Sequence, residues 1–162
     1  MSIFVDTGVF YAMLDRNDAN HMDAVAIMIH ALEGKFGQVI TTDYVVLETT
    51  LLLKARIGSK TVEDFLRFLE RSGIATVVVD EETYRRTVEL MKKHPEKLSL
   101  CDAATLVIMK DWKVKNLATF DLRSFGNLAV AIVGKGYFNS LSEKEKRRIS
   151  SLIERWSVQK DI

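Results

Sequence analysis

The chain has 162 residues, 48% of them apolar and 28% charged, with a net charge of +1. That is the make-up of a soluble globular protein, and any site for a polyanion has to be a local basic patch, because the whole-molecule field is close to zero. A single cysteine rules out an internal disulfide, no uncharged apolar run approaches ~18 residues, and Asp6 interrupts any secretion-signal pattern, so the expected compartment is the cytoplasm, with no membrane partner.

In chain order, Ser2 to Asp6 reads as a short buried strand that runs three apolar residues into a carboxylate. Thr7-Gly8 opens a short helix to Leu14. A second helix covers about His21 to Leu32, with Ala24, Val25, Met28, Ile29 and Leu32 at helical spacing. Gln38 to Thr42 is a strand. Asp43 is the expected N-cap of a helix from Tyr44 to about Ile57, closed by Gly58. Ser59 is the expected cap of the next helix, which ends at Gly73. Ala75 to Val79 is a β-branched strand, and Asp80 caps a helix that stops before Pro95. Ser99 to about Trp112 is an apolar helix. Leu117 to Phe120 and Ala129 to Val133 are the last expected strands. Ser142 and Glu145 have capping-box spacing and begin an amphipathic helix with an Ile149, Leu152, Ile153 and Trp156 stripe. Short buried strands alternating with helices predict one α/β domain over residues 1–162, with residues 140–158 as a helical extension and a mostly parallel central sheet.

Four acids interrupt apolar segments: Asp6, Glu48, Asp102 and Asp121. Asp6 and Asp121 end predicted strands, and in parallel α/β sheets ligands bind at that rim. Three of the four have a simpler role available. Asp6 and Asp121 stand where a helix or turn begins, and Asp102 has capping-box spacing from Ser99. Glu48 lies past the capping positions, with Leu51 and Leu52 at i+3 and i+4 where a paired cation would stand. One shared metal site accounts for all four. Carboxylates without His or Cys favour a hard cation, Mg²⁺ or Mn²⁺, whose natural chemistry is phosphoryl transfer. Asp43 is a fifth candidate, with N-capping the favoured reading. His21, His30 and His94 have no ligand spacing, and Cys101 reads as a buried apolar residue. An aspartic protease needs two Asp-Thr-Gly triplets and this chain has one. Position 8 is Gly, so no Asp-x-Asp phosphatase motif is present, and no aromatic platform supports a glycosidase.

The ordered set Asp6-Thr7, Glu48 after Thr41-Thr42-Asp43, Leu98-Ser99-Leu100-Cys101-Asp102-Ala103 and Thr119-Phe120-Asp121-Leu122-Arg123-Ser124-Phe125 resembles the PIN domains, and among them the VapC-type toxin ribonucleases, over roughly residues 2 to 135. The resemblance implies a three-layer α/β/α sandwich with a parallel sheet. It implies Mg²⁺- or Mn²⁺-dependent endonuclease activity on RNA, leaving 5′-phosphate and 3′-hydroxyl ends. It carries the metal ligands onto Asp6, Glu48, Asp102 and Asp121, with Thr119 and Thr7 as supporting hydroxyls. It also implies a small antitoxin partner and a homodimer. A PIN-like module that binds RNA or protein without cutting, and an RNA-processing nuclease that is no toxin, are the competing readings. The helix from Ser142 to Val158 departs from the compact toxins.

Overall fold

The computed structural model describes residues 1–128 and 130–158, the side chains of residues 156–158 excepted. Five parallel strands form one sheet: β1 (Ser2–Val5), β2 (Gln38–Thr42), β3 (Ala75–Val77), β4 (Asn116–Ala118) and β5 (Ala131–Val133), in the order β3-β2-β1-β4-β5. The central strand β1 pairs in register with both neighbours, Phe4 opposite Ile40 on one side and Leu117 on the other. Ile3, Phe4 and Val5 are fully buried, as a strand covered on both faces requires, which is why this stretch is continuously apolar. Edge strands β3 and β5 are half exposed and correspondingly short.

The chain moves outward from β1 to β2 to β3, then returns to β4 beside β1. The first two crossovers run through α1 (Thr7–Leu14) with α2 (His21–Leu32), and α3 (Asp43–Arg56) with α4 (Ser59–Ser72). The return crosses through α5 (Glu81–Lys93) and α6 (Leu100–Asp111). Right-handed crossovers place these two groups of helices on opposite faces of the sheet, giving the three layers expected. The reversal of direction between β1 and β4 is a topological switch point, where the carboxyl ends of adjacent strands leave a crevice.

Several local expectations are corrected. The N-cap of α3 is Thr42, whose hydroxyl accepts from Val45 N at 3.2 Å. Asp43 is instead the first helical residue, and its Oδ1 accepts from Val79 N at 3.0 Å, tying α3 to the chain leaving β3. Gly58 occupies the N-cap of α4 at φ 140°, a value that suits glycine, and Ser59 is the first residue inside. Strand β3 ends at Val77 and β4 at Ala118, each two residues early. Ala129 lies outside the described residues, and β5 is described from Ala131. A short helix α7 (Leu122–Phe125), absent from the sequence reading, follows Asp121.

The final helix, α8 (Glu143–Val158), docks on α2. Ile149 is fully buried against Val25, Ala26 and Ile29. Trp156 of the expected stripe has its side chain outside the described residues. Asp23 on α2 accepts from Gly136 N and Phe138 N, both at 2.8 Å, and so clasps the chain leading into α8. Ser142 Oγ accepts from Glu145 N at 3.2 Å. The Glu145 carboxylate does not close the capping box and turns to His30 and Arg148. Ile149→Ala is expected to lower unfolding free energy by about 2–4 kcal/mol, the range for emptying a buried aliphatic site. Urea titration of wild type and variant measures it.

Candidate active site at the strand ends

Asp6 leaves β1 with its backbone N–H donated to Ala118 O at 3.0 Å, so the sheet itself fixes where its side chain starts. It occupies the N-cap position of α1 but its carboxylate caps nothing. Oδ2 instead accepts from Thr119 Oγ1 at 2.8 Å, and Thr119 Oγ1 accepts from Asp121 N at 3.1 Å. A relay of N–H to hydroxyl to carboxylate therefore links the ends of β1 and β4.

Asp102 stands in the first turn of α6. Its Oδ2 accepts from Ser99 N at 2.8 Å, and Ser99 Oγ accepts from Asp102 N at 3.1 Å, the full capping box. Asp121 caps α7: Oδ1 accepts from Ser124 N at 3.0 Å and Oδ2 from Ser124 Oγ at 2.7 Å. Ser124 Oγ also lies 3.1 Å from Lys97 O, which places α7 against the segment entering α6. Glu48, one turn into α3, accepts from Thr7 Oγ1 at 2.6 Å through Oε2.

These four acids, with Thr7 and Ser99, line one cleft of about 620 Å³. Capping explains one face of Asp102 and Asp121 without accounting for their convergence. None of the four forms an ion pair with Lys or Arg among the described residues. Beyond the bonds above, the Asp6 carboxylate receives the Thr7 backbone N–H and Glu48 receives the Cys101 thiol.

Burial divides the four acids. Asp6 is buried, Asp102 half-buried, and Glu48 and Asp121 are exposed. The expectation that Glu48 sits among apolar side chains is corrected: Leu47 and Leu51 beside it are about 60% exposed. Burial is the main reason the Asp6 carboxyl is raised from its ordinary 3.8 to about 6. Its bonds from Thr119 and the Thr7 backbone pull it down, and nearby Asp102 and Glu48 push it up. Asp102 is raised for the same first reason, opposed by Ser99 and reinforced by Asp121 and Glu48. Burial, with Glu48 and Asp6 close by, pushes the Cys101 thiol far up, so it stays protonated and is no nucleophile.

Oxygen donors alone, carboxylates without partner cations and mutual repulsion fit a hard divalent ion. Asp43, the fifth candidate, is occupied in backbone bonding away from the cleft. The histidines stay outside the cleft: His21 Nδ1 bonds Ala12 O, and His30 lies between Tyr137 and Glu145. His30, Glu33 and Glu145 do converge, but Arg148 already supplies the positive charge. It grips Glu33 with two bonds of 2.6 and 2.9 Å and reaches Glu145 with a third. The sequence reading assigned no role to Ser124, although Asp121-x-x-Ser124 has N-cap spacing.

The PIN domain family model matches residues 3–131. The chain belongs to the PIN domain family. A VapC ribonuclease of Archaeoglobus fulgidus is 33% identical over 156 residues, spanning 94% of this chain and 96% of that protein. Among solved structures, Mycobacterium tuberculosis VapC20, described as a Sarcin-Ricin loop cleaving toxin, superposes with a TM-score of 0.68 at 24% identity. The match covers 79% of this chain and 98% of that one. The FitAcB structure from Neisseria gonorrhoeae gives 0.55 at 23% identity, over 82% and 96%. These likenesses establish the PIN fold, and α8 lies beyond the span of the family model.

The Asp6 carboxyl carries a signed pH dependence. In metal-free protein it ionises at about 6 when folded against an ordinary 3.8. Its neutral form therefore favours the folded state at low pH, and that contribution is lost as pH rises from about 4 through about 6. Asp6→Asn is expected to be more stable than wild type by ~3 kcal/mol at pH 7 in EDTA, with the difference vanishing near pH 4. Millimolar Mn²⁺ is expected to raise the melting temperature of wild type more than that of Asp6→Asn. Equal metal shifts in both proteins would remove Asp6 from the ion's ligands.

Proposed function

We propose that this chain is a Mg²⁺- or Mn²⁺-dependent endoribonuclease of VapC type, the toxin of a toxin–antitoxin pair. The observation that carries the reading is the convergence of Asp6, Glu48, Asp102 and Asp121 in one cleft with no cation of the protein's own. The VapC ribonuclease relative, aligned over nearly the full length of both chains, supports the substrate class. A bound divalent ion supplies charge neutralisation for a phosphodiester and for the oxygen it releases.

Asp6, Asp102 and Asp121 hold the ion, and the Thr119, Ser99 and Ser124 bonds fix their orientation. Glu48, held by the Thr7 hydroxyl, orients the attacking water or helps hold a second ion. Water adds to phosphorus, the bond to the 3′ oxygen breaks, and a 5′-phosphate and a 3′-hydroxyl result. A small antitoxin that covers the acidic cleft, a second copy of the chain and a cytoplasmic setting complete the proposal. A binding module that no longer cuts is disfavoured, because it has no use for four carboxylates gathered in one cleft without a Lys or Arg partner among the described residues.

Incubation of the protein with mixed RNA in Mn²⁺ and in EDTA tests the reading, with cleavage expected only in Mn²⁺. Glu48→Gln is expected to lower the rate by on the order of a hundredfold. Its melting curve should change little, because Glu48 is exposed. Thr7→Val should lose about tenfold, and the double variant should be no worse than Glu48→Gln, since Thr7 acts through Glu48. A folded Glu48→Gln with full activity would take Glu48 out of the mechanism.

A further inference from the structure

A second groove, of about 550 Å³, runs between α5 and α6. Arg85, Arg86, Lys93 and Lys110 line it, against one acid, Glu89. Its floor is apolar and includes Leu90, Leu106 and Leu128. In a chain of net charge +1, two of the four cations are paired with acids beside the groove, Arg85 with Glu81 and Arg86 with Asp111, and Lys93 and Lys110 make up its local basic patch.

Helix α6 contributes residues to both the acidic cleft and the groove. Asp102, Leu106 and Lys110 stand at i, i+4 and i+8 on α6, one above the other on a single face. Ala103, Ala104, Thr105, Val107, Ile108 and Met109 between them are buried, as is Cys101 just before, so this stripe is the accessible side of the helix. Asp102 lines the cleft, and Leu106, one turn of about 5.4 Å further on, lines the groove. Arg86 grips Asp111 with two bonds of 2.7 Å, which sets the spacing of the two walls. Arg85 is paired with Glu81. Lys93 and Lys110 have no ion pair among the described residues, though each lies in the field of a carboxylate, Glu89 and Asp111 respectively.

We propose that the α5–α6 groove is the track on which single-stranded RNA lies as it enters or leaves the acidic cleft, a reading that rests on the ribonuclease assignment. Phosphates meet Lys93 and Lys110, and bases lie over Leu90, Leu106 and Leu128. An aliphatic floor gives shape and no hydrogen-bond readout, so the track tolerates sequence.

Fluorescence anisotropy with a short labelled single-stranded RNA in EDTA, over a range of salt, tests the track without cleavage. Lys93→Ala/Lys110→Ala is expected to weaken binding about tenfold and to flatten the slope of log affinity against log salt by about 1.4, two single-strand phosphate contacts. In Mn²⁺, KM for RNA should rise by about the same factor with kcat unchanged. Lys60→Ala on α4, of equal charge, should change none of these. Both substituted lysines are exposed, and the melting temperature checks the fold. Unchanged affinity, salt slope and KM, with cleavage retained, would overturn the track and leave the nuclease standing. Loss of binding in the double variant of a protein that cleaves nothing would keep the track and overturn the nuclease. No RNA binding by wild type would overturn the track. So would poly-glutamate bound as tightly as RNA and lost in the same variant, which would make the groove a site for an acidic protein.

Discussion

Asp6 is a carboxylate at the end of the most deeply buried strand, and the rest of the rim is arranged around that placement. Its burial is a backbone consequence, since β1 is hydrogen-bonded on both sides and Asp6 N is the last donor into the β1–β4 ladder. The protein gives this charge one side-chain partner, the Thr119 hydroxyl, and no cation. A neutral hydroxyl offsets only part of the cost of burying an ion. The remainder is held in the fold as repulsion and desolvation, which a cation of opposite sign would relieve.

The other three acids are held to different degrees. Asp102 and Asp121 are each tied to backbone and hydroxyl groups within three residues, so their directions are set by the start of α6 and of α7. Ser124 reaching Lys97 O locks those two starts together. Glu48 accepts from the Thr7 hydroxyl, on the first residue of α1, with the Cys101 thiol beside it. Two of the acids are fixed by helix starts, one by the sheet, and Glu48 by the contact between α3 and the start of α1.

Much of this was legible in the residues. Buried parallel strands are written as apolar runs, so β1 and β2 could be read to within a residue, and a carboxylate ending such a run marks the rim. The Ser99 to Asp102 spacing gave its capping box directly. Other features had no local signal. Helix α3 is apolar nearly all round, so periodicity could not tell that Leu47, Glu48 and Leu51 face water. The apolar setting expected for Glu48 is accordingly corrected, while its place in the cleft is observed. Thr42 and Asp43 are both competent caps, and the choice was made by Val79 N, 36 residues away in sequence. Thr119 meets Asp6 across 113 residues. Helix α7 has four residues, too few to show a period.

The charge distribution resolves a difficulty that the composition raised. Four carboxylates in one cleft repel a polyanion, and a net charge of +1 supplies no compensating field. Ionic screening confines both effects to about 8 Å at physiological salt. What matters is therefore how close the nearest free cations stand to the acids. On α6 the acid Asp102 and the lysine Lys110 stand eight residues apart, about 12 Å of helix rise and more than one screening length, so repulsion in the cleft and attraction in the groove act on different phosphates of one strand. Helix α8, by contrast, covers α2 and contributes no residue to the cleft among the described residues. Helix α8 thus adds buried surface to the fold against α2, away from the described residues that line the cleft.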